Sequence, residues 1–324
     1  MAPFVRTAAL LSGAVLLTAA GLFFGPAAAP ASAQDSYPSR PVEMIVTFGP
    51  GGGADLMGRQ MARQLEPLLG VSVPVSNVAG SSGNAGLTRL KTSASDGYTL
   101  GTLISLTVAS WASGIGDNQP EEFRVVAVVQ SSPSFLFVSA DSPHQTAQAL
   151  FDYARAHSGE LTVATSGYGT QDDVTLQLLA TAGIEMANVP FEKPAERYAS
   201  PIGGHTSAIY EEPGDVAQFV KSGQLKPLVV FDKQRHPAFP DVPTGGELGV
   251  DITGLDNFRT VAAPAATPDS VIAKLEQAIL EVTSSDDWKA FCEQTYTCIE
   301  PVTGAAAQET IVSFRDTIAE RLAK

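Results

Sequence analysis

The sequence predicts an α/β fold, because strand-like and helix-like segments alternate along it and glycine-rich loops join them. In the early part, strands predicted over 42–48, 71–75 and 98–104 are separated by two segments of helical period. This βαβαβ order implies a parallel sheet with right-handed crossovers. Roughly 290 residues remain once an N-terminal leader is set aside, which suggests two lobes rather than one.

Residues 1–33 have the pattern of a cleaved signal peptide. Arg6 precedes an apolar run that ends at Gly25-Pro26, and Ala31-Ser32-Ala33 supplies the small residues of a cleavage site. The run is too short to favour a membrane-spanning helix. We therefore expect an exported protein that is cleaved near Ala33.

The elements that follow are predicted from their apolar spacing. The first helix has an apolar stripe, the middle of the chain has further strands, and two helices close the chain. The stripe comprises Met57, Met61, Leu65, Leu68 and Leu69, the middle strands cover 161–164, 186–191, 208–210 and 225–231, and the final helices carry Val271 to Ile279 and Ile311 to Leu322.

Charge and cysteine content exclude several functions. The formal net charge of −14 argues against nucleic acid or anionic membrane as a partner. Cys292 and Cys298 form either a disulfide or two free thiols. Two cysteines with no histidine nearby cannot form a structural zinc site, and we predict neither a metal nor a cofactor.

Three glycine-rich loops are the candidate binding elements: Gly49 to Asp55, Gly80 to Gly86 and Ser166 to Thr170. A loop of this kind between a strand and a helix presents backbone N–H groups at the positive end of the helix dipole, where anions bind. Each loop alone also fits an ordinary tight turn. Three of them at comparable strand ends favour one crevice that binds an anion.

Other uses of these loops fit less well. Ala54-Asp55 stands where a P-loop needs Lys and Ser or Thr, and Gly49-x-Gly51-x-x-Ala54 lacks the third glycine of a dinucleotide fingerprint. The chain also lacks Gly-x-Ser-x-Gly and His-Glu-x-x-His, and its four histidines are scattered. We predict no catalytic residues and no enzyme, although a secreted hydrolase-like enzyme stays open as the alternative.

Several motifs together carry a family resemblance. Phe48 to Asp55 (FGPGGGAD), Asn77 to Gly86 (NVAGSSGNAG), Ser95 to Leu100 (SDGYTL) and Pro240 to Thr244 (PDVPT) occur in this order. The chain thereby resembles the periplasmic receptors of the tripartite tricarboxylate transporter family, also called Bug receptors. The resemblance covers nearly all of the mature chain.

The resemblance implies a two-lobed periplasmic-binding-protein-like fold of type II, with the ligand in the cleft between the lobes. Lobe 1 is expected over 37–132 plus 258–324 and lobe 2 over 133–257, with boundaries good to about eight residues. It further implies a monomeric periplasmic receptor, without a cofactor, that delivers a small organic carboxylate to membrane permease subunits. A receptor used only for sensing stays open, and so does the identity of the carboxylate.

The predicted ligand-binding residues lie in the three loops and beside them. They are Phe48, Pro50, Gly51, Gly52, Gly53, Asp55, Gly80, Ser81, Ser82, Gly83, Asn84, Ser105, Ser166, Tyr168, Gly169, Thr170, Phe191 and Tyr210.

Acidic residues depart from the family pattern at Asp172-Asp173, at Glu192 and at Glu211-Glu212. We expect these side chains to point to solvent, as charged residues usually do. If they reach the cleft instead, a second carboxylate on the ligand would be repelled. An amino, amide or hydroxyl end, or a carboxylate that chelates a cation, would then fit better.

Overall fold

In a computed structural model, residues 37–323 of the chain form eleven strands and ten α-helices. The strands are β1 (Glu43–Val46), β2 (Val75–Asn77), β3 (Thr99–Ile104), β4 (Phe123–Ser132), β5 (Phe135–Ser139), β6 (Thr162–Thr165), β7 (Ala187–Pro190), β8 (Ala208–Glu211), β9 (Leu225–Val230), β10 (Asn257–Pro264) and β11 (Val302–Thr303). The helices are α1 (Gly53–Leu69), α2 (Asn84–Lys91), α3 (Ser105–Ala112), α4 (Ala147–Ala156), α5 (Gln171–Thr181), α6 (Pro194–Ala199), α7 (Ala217–Lys221), α8 (Asp269–Ser284), α9 (Asp286–Gln294) and α10 (Gly304–Leu322). The predicted signal peptide lies outside the described residues.

Two sheets organise the chain. The first has six strands in the order β11-β4-β10-β3-β1-β2, and the second has five in the order β7-β6-β8-β5-β9. β1 pairs in parallel with β2 and β3, which confirms the predicted βαβαβ unit. In the second sheet β6 is parallel to β7 and β8, while β5 runs antiparallel to β8 and β9.

The chain passes between the sheets twice. It leaves the first sheet after Ser132, enters the second at Phe135, and returns to the first at Asn257. We call the first sheet with its helices the first lobe and the second sheet with its helices the second lobe. The exact residues at which the lobes divide remain a prediction.

The second strand lies later than the sequence predicted. We expected residues 71–75, whereas β2 covers Val75–Asn77. Before it, the carbonyls of Ser72 and Pro74 accept hydrogen bonds from Val42 and Met44. Pro74 has no N–H with which to continue a ladder, and this explains the later start.

Apolar side chains fill both faces of the first sheet. The predicted stripe on α1 is buried against residues of α8 and α9, including Leu275, Ile279 and Trp288. Leu68 is the exception, because it is 38% exposed. On the other face, Ile311, Phe314 and Ile318 of α10 belong to a cluster that continues into the second lobe through Val174 and Leu176. The lobes therefore share an apolar contact away from the loops.

Cys292 and Cys298 form a disulfide, which settles the alternative that the sequence left open. Its loop joins the end of α9 to the segment before β11. Within the described residues, helices that combine the length and the apolarity needed to cross a bilayer are absent.

Candidate functional site

A cavity lies between the two sheets where the glycine-rich loops meet. Its volume is about 60 Å³. The lining residues are Phe48, Gly49, Gly52, Gly53, Ala54, Ala79, Gly80, Ser81, Ser82, Gly83, Ile104, Leu106, Ser166, Phe191, Glu192, Pro194, Arg197, Glu211, Glu212, Asp215, Asn257 and Arg259. Both lobes contribute, so the cavity is suited to a small molecule held between them.

The first loop places the N-terminus of α1 at the cavity. Gly52 is the N-cap residue, and the chain there has an extended backbone. The Gly53 N–H donates to Oδ2 of Asp215 at 3.0 Å, and the Gly51 N–H donates to Oδ2 of Asp55 at 2.9 Å. Two N–H groups of this loop are thus used by carboxylates of the protein itself. The Gly52 N–H has no acceptor among the described residues.

The second loop has an uncommon backbone. Gly80, Ser81, Ser82 and Gly83 follow one another with φ of 127°, 49°, 53° and 88°. For serine the left-handed region costs about 1–2 kcal/mol per residue, and such strain is concentrated at functional sites. The N–H groups of Ser81 and Ser82 find no acceptor within the described part of the chain. Successive N–H groups in such turns form concavities that bind anions.

Asn84 holds this loop in place without lining the cavity. Its buried amide donates to the Ser81 carbonyl at 2.8 Å and to Oγ of Ser110 at 2.9 Å, and its Oδ1 accepts from the Trp111 indole at 2.7 Å. We therefore place Asn84 behind the loop as a positioning residue.

The third loop does not present its N–H groups as expected. The Ser166 N–H donates to Oδ2 of Asp172 at 2.7 Å, and the Gly169 N–H donates to Oδ2 of Asp173 at 2.8 Å. Acids in the first turn of a helix are stabilised by its dipole, and here they occupy the donors that an anion would use. Ser166, which belongs to the second lobe, is the one residue of this loop that lines the cavity.

Several other predicted residues lie beside the cavity and not on its wall. Tyr168 is 59% exposed, although its carbonyl accepts from Oγ of Ser82 across the cleft at 3.3 Å. Ser105 is buried and donates to Oδ1 of Asn257 at 3.0 Å, so it touches a wall residue from behind. Tyr210 faces the core and contacts Thr175 at 3.0 Å. Pro50, Gly51, Asp55, Gly169 and Thr170 also lie outside the lining set, whereas Phe48 and Phe191 belong to it.

The expectation that the acids point to solvent is wrong for Asp172, Glu211 and Glu212, each of which is 3% exposed. Asp172 is buried because it accepts from the N–H of its own loop, whereas Glu211 and Glu212 line the cavity, because β8 ends there. Arg197 donates to Oε2 of Glu211 from Nε at 2.9 Å and from Nη2 at 2.6 Å. Burial, followed by the charge of Asp215, raises the pKa of Glu212.

Arg197, Asp215 and Arg259 were not among the predicted site residues. Nη2 of Arg259 donates to both oxygens of Asp215 at 2.9 and 3.0 Å and lies 3.5 Å from Oε2 of Glu212. The Tyr198 hydroxyl lies 3.4 Å from Asp215. One signal was present in the sequence: Arg259 is the single charge in the otherwise uncharged strand β10.

Known proteins of one family match this chain over most of its length. A family model described as "Tripartite tricarboxylate transporter family receptor" matches residues 57–321. Protein BugT of Bordetella pertussis is 33% identical over 279 residues, which cover 83% of this chain and 85% of that protein.

Solved structures show the same fold. The periplasmic binding protein BugD superposes with a TM-score of 0.80 at 24% identity, over 89% of this chain and 98% of that one. A protein of R. palustris, solved with adipate, superposes with a TM-score of 0.78 at 24% identity, over 89% of this chain and 96% of that one. The predicted two-lobed fold of type II is thereby confirmed.

Proposed function

Because this chain belongs to the receptor family of the tripartite tricarboxylate transporters, and is therefore a solute-binding receptor and not an enzyme, we propose that it captures a small organic carboxylate between its lobes. The carboxylate binds the loops of the first lobe, and the second lobe closes over it. The receptor then delivers the ligand to membrane permease subunits from the periplasm, as a monomer.

The observation that carries this proposal is the set of unused N–H donors at the cavity. Gly52, Ser81 and Ser82 belong to two loops of one lobe and line the cavity. Hydrogen bonds from such donors to a charged acceptor contribute about 1.5–3 kcal/mol each. A few of them support binding near 1 µM, about −8 kcal/mol, after the costs of association.

The family and the fold neighbours support a carboxylate as the ligand. The R. palustris neighbour was solved with adipate, which is a dicarboxylate. That complex supports a carboxylate as the class of ligand for this chain. The residues of the cavity decide which group the other end of the ligand carries.

Gly52 offers a direct test of closure over the ligand. A Cβ at this position would lie 2.9 Å from Cγ of Pro194, which belongs to the other lobe. Gly52→Ala should therefore weaken carboxylate binding about tenfold or more, because a distance below 3 Å forces the lobes apart. Calorimetric titration, after a thermal-shift screen of mono-, di- and tricarboxylates, measures this change.

Gly246→Ala is the matched control, since the nearest atom to its Cβ would be 3.7 Å away. It should bind as the unaltered protein does. Gly53 and Gly83 are poorer choices, because a Cβ there would collide with Arg259 or Thr107 and disturb the folded lobe as well. If Gly52→Ala binds every carboxylate with unchanged affinity, the ligand is not held between these loops and Pro194.

Delivery has its own test. A strain that lacks this gene should lose uptake of the labelled carboxylate, and uptake should return with the unaltered gene. If uptake persists while a transcriptional response to the carboxylate is lost, the receptor serves sensing and not transport.

A further inference from the structure

Acidic side chains outnumber basic ones where the two lobes meet at the cavity. Its wall carries the carboxylates of Glu211, Glu212 and Asp215 and the guanidinium groups of Arg197 and Arg259. Oxygens of the three acids lie within 4.8 Å of one another. Like charges this close in a buried site repel strongly, and two cations do not neutralise three anions.

The two arginines are already assigned to particular acids. Arg197 makes two hydrogen bonds to Glu211, and Arg259 makes two to Asp215. Glu212 is left with the longest contact, at 3.5 Å from Arg259, and accepts a hydrogen bond from the neutral Ser134 hydroxyl at 3.0 Å. Glu212 is therefore the carboxylate with the least compensated charge.

Unsatisfied donors accompany the acids. Nε of Arg259 is buried on a side chain that is 5% exposed, and it has no acceptor among the residues that the structure describes. The N–H groups of Gly52, Ser81 and Ser82, which line the same cavity, are unused within the described residues. Asp215 already occupies the Gly53 N–H, so part of the anion site at α1 is filled by the protein. The cavity thus has donors without acceptors at its glycine loops, and its Glu212 shares its nearest cation, Arg259 at 3.5 Å, with Asp215.

We propose that the ligand carries an ammonium group that contacts Glu212, so that the substrate class is an amino-substituted carboxylate and not a dicarboxylate. This proposal rests on the proposed function, since the carboxylate end still binds the loops of the first lobe. The ammonium donates to Glu212 and its neighbouring acids and restores the charge balance of the cavity. A second carboxylate at the same place would face three acids.

A divalent metal is the other cation that acids attract, but the wall is poorly suited to one. Ca²⁺ needs six to eight oxygen ligands, and Mg²⁺ needs near-octahedral geometry. Here the guanidinium groups of Arg197 and Arg259 already occupy oxygens of the acids and would repel a doubly charged ion.

The test compares ligands that differ only at one end. Each pair keeps the carboxylate and the spacer and exchanges ammonium for a second carboxylate: glycine with malonate, β-alanine with succinate, γ-aminobutanoate with glutarate, and δ-aminopentanoate with adipate. Titration calorimetry of the unaltered protein, with EDTA present, should find at least one amino member that binds about tenfold or more tightly than its dicarboxylate partner.

Three results overturn the proposal. A preference for the dicarboxylate at every spacer length removes the ammonium and leaves the carboxylate receptor intact. A gain in dicarboxylate affinity only when Ca²⁺ or Mg²⁺ replaces EDTA assigns the acids to a metal. If no mono-, di-, tri- or aminocarboxylate binds at all, the proposed function fails together with this inference.

Glu212→Gln assigns the preference to one residue. The variant should lose most of the tenfold preference for the amino ligand, because an uncharged amide attracts ammonium less and repels carboxylate less. Glu281→Gln removes the same charge from an exposed position on α8 outside the cavity and should keep the preference. An unchanged preference in Glu212→Gln contradicts the assignment, and the ligand pairs on the unaltered protein decide the proposal where this variant does not fold.

Discussion

Asp256 is a partly buried carboxyl group beside the strand that leads back to the first sheet. Its Oδ1 is buried and has no hydrogen-bond partner among the described residues. Burial, followed by the nearby charge of Asp232, raises its pKa to about 6. The folded protein therefore binds this proton more tightly than the unfolded chain does. Its stabilising effect is complete below about pH 4 and is lost as the pH rises through about 6.

Asp256→Asn should therefore raise the free energy of unfolding at pH 7.5 by about 1–3 kcal/mol and change it little at pH 4.5. Urea unfolding at the two pH values measures the difference. Asp241→Asn, at an exposed position, provides the control and should change neither value. An equal effect of Asp256→Asn at both pH values would show that this carboxyl group does not titrate in the window.

Some residues of the cavity could be predicted from the sequence, and others could not. Phe48, Gly52, Ser81 and Ser82 could be placed at the cavity because a motif and a helix N-terminus identify them. Arg259 could not, since a charge in a strand is recognised as a site residue only when its partner is known. That partner, Asp215, lies 44 residues earlier and in the other lobe.

Among the elements, α5 shows that the N–H groups of a glycine-rich loop can donate to acids of the helix that follows it. Asp173 accepts from the Gly169 N–H at 2.8 Å and from the Asn188 amide at 2.6 Å. Asp173→Ala should lower the free energy of unfolding by about 1 kcal/mol, as the loss of a helix cap does. The same variant should leave carboxylate affinity within about twofold, because the third loop donates to its own acids.

Thermal unfolding and calorimetric titration measure these two effects. Asp152→Ala on α4, where the aspartate is an exposed member of an ion pair, is the control for stability. Carboxylate affinity that falls about tenfold or more in Asp173→Ala would restore the third loop as a direct anion binder.

Elements with a clear period were predicted well, and those without one were not. The apolar stripes of α1, α8 and α10 identified these helices. Helix α3 was not predicted, because residues Ser105 to Trp111 are all buried and the helix therefore has no polar face that would give its sequence a period. Spacing could not decide between a disulfide and two thiols at Cys292 and Cys298, since that choice depends on where the chain after α9 turns back.

At the scale of the whole molecule, the alternation of elements and the family motifs predicted two lobes and a cleft. They could not predict the contacts that hold the cleft together, because these join residues distant in sequence. Asp215 of the second lobe accepts from the Gly53 N–H and from Arg259, both of the first lobe. Ser113 of the first lobe donates to the Gly169 carbonyl of the second at 3.0 Å.

Asp215 should therefore set the balance between open and closed lobes. In Asp215→Ala the Gly53 N–H and the Arg259 guanidinium lose their shared acceptor in the second lobe, and the 3.5 Å contact of Arg259 to Glu212 is the ionic link that remains across the cleft. Buried donors that lose their acceptor are costly, and opening the cleft lets water reach them. We expect a larger radius of gyration by small-angle X-ray scattering for this variant than for the unaltered protein, each measured without added carboxylate.

Asp269→Ala, which removes an exposed partner of Arg124, should leave the radius unchanged. An unchanged radius for Asp215→Ala as well would mean that the apolar contact around α10, and not the ionic bridge, holds the lobes together.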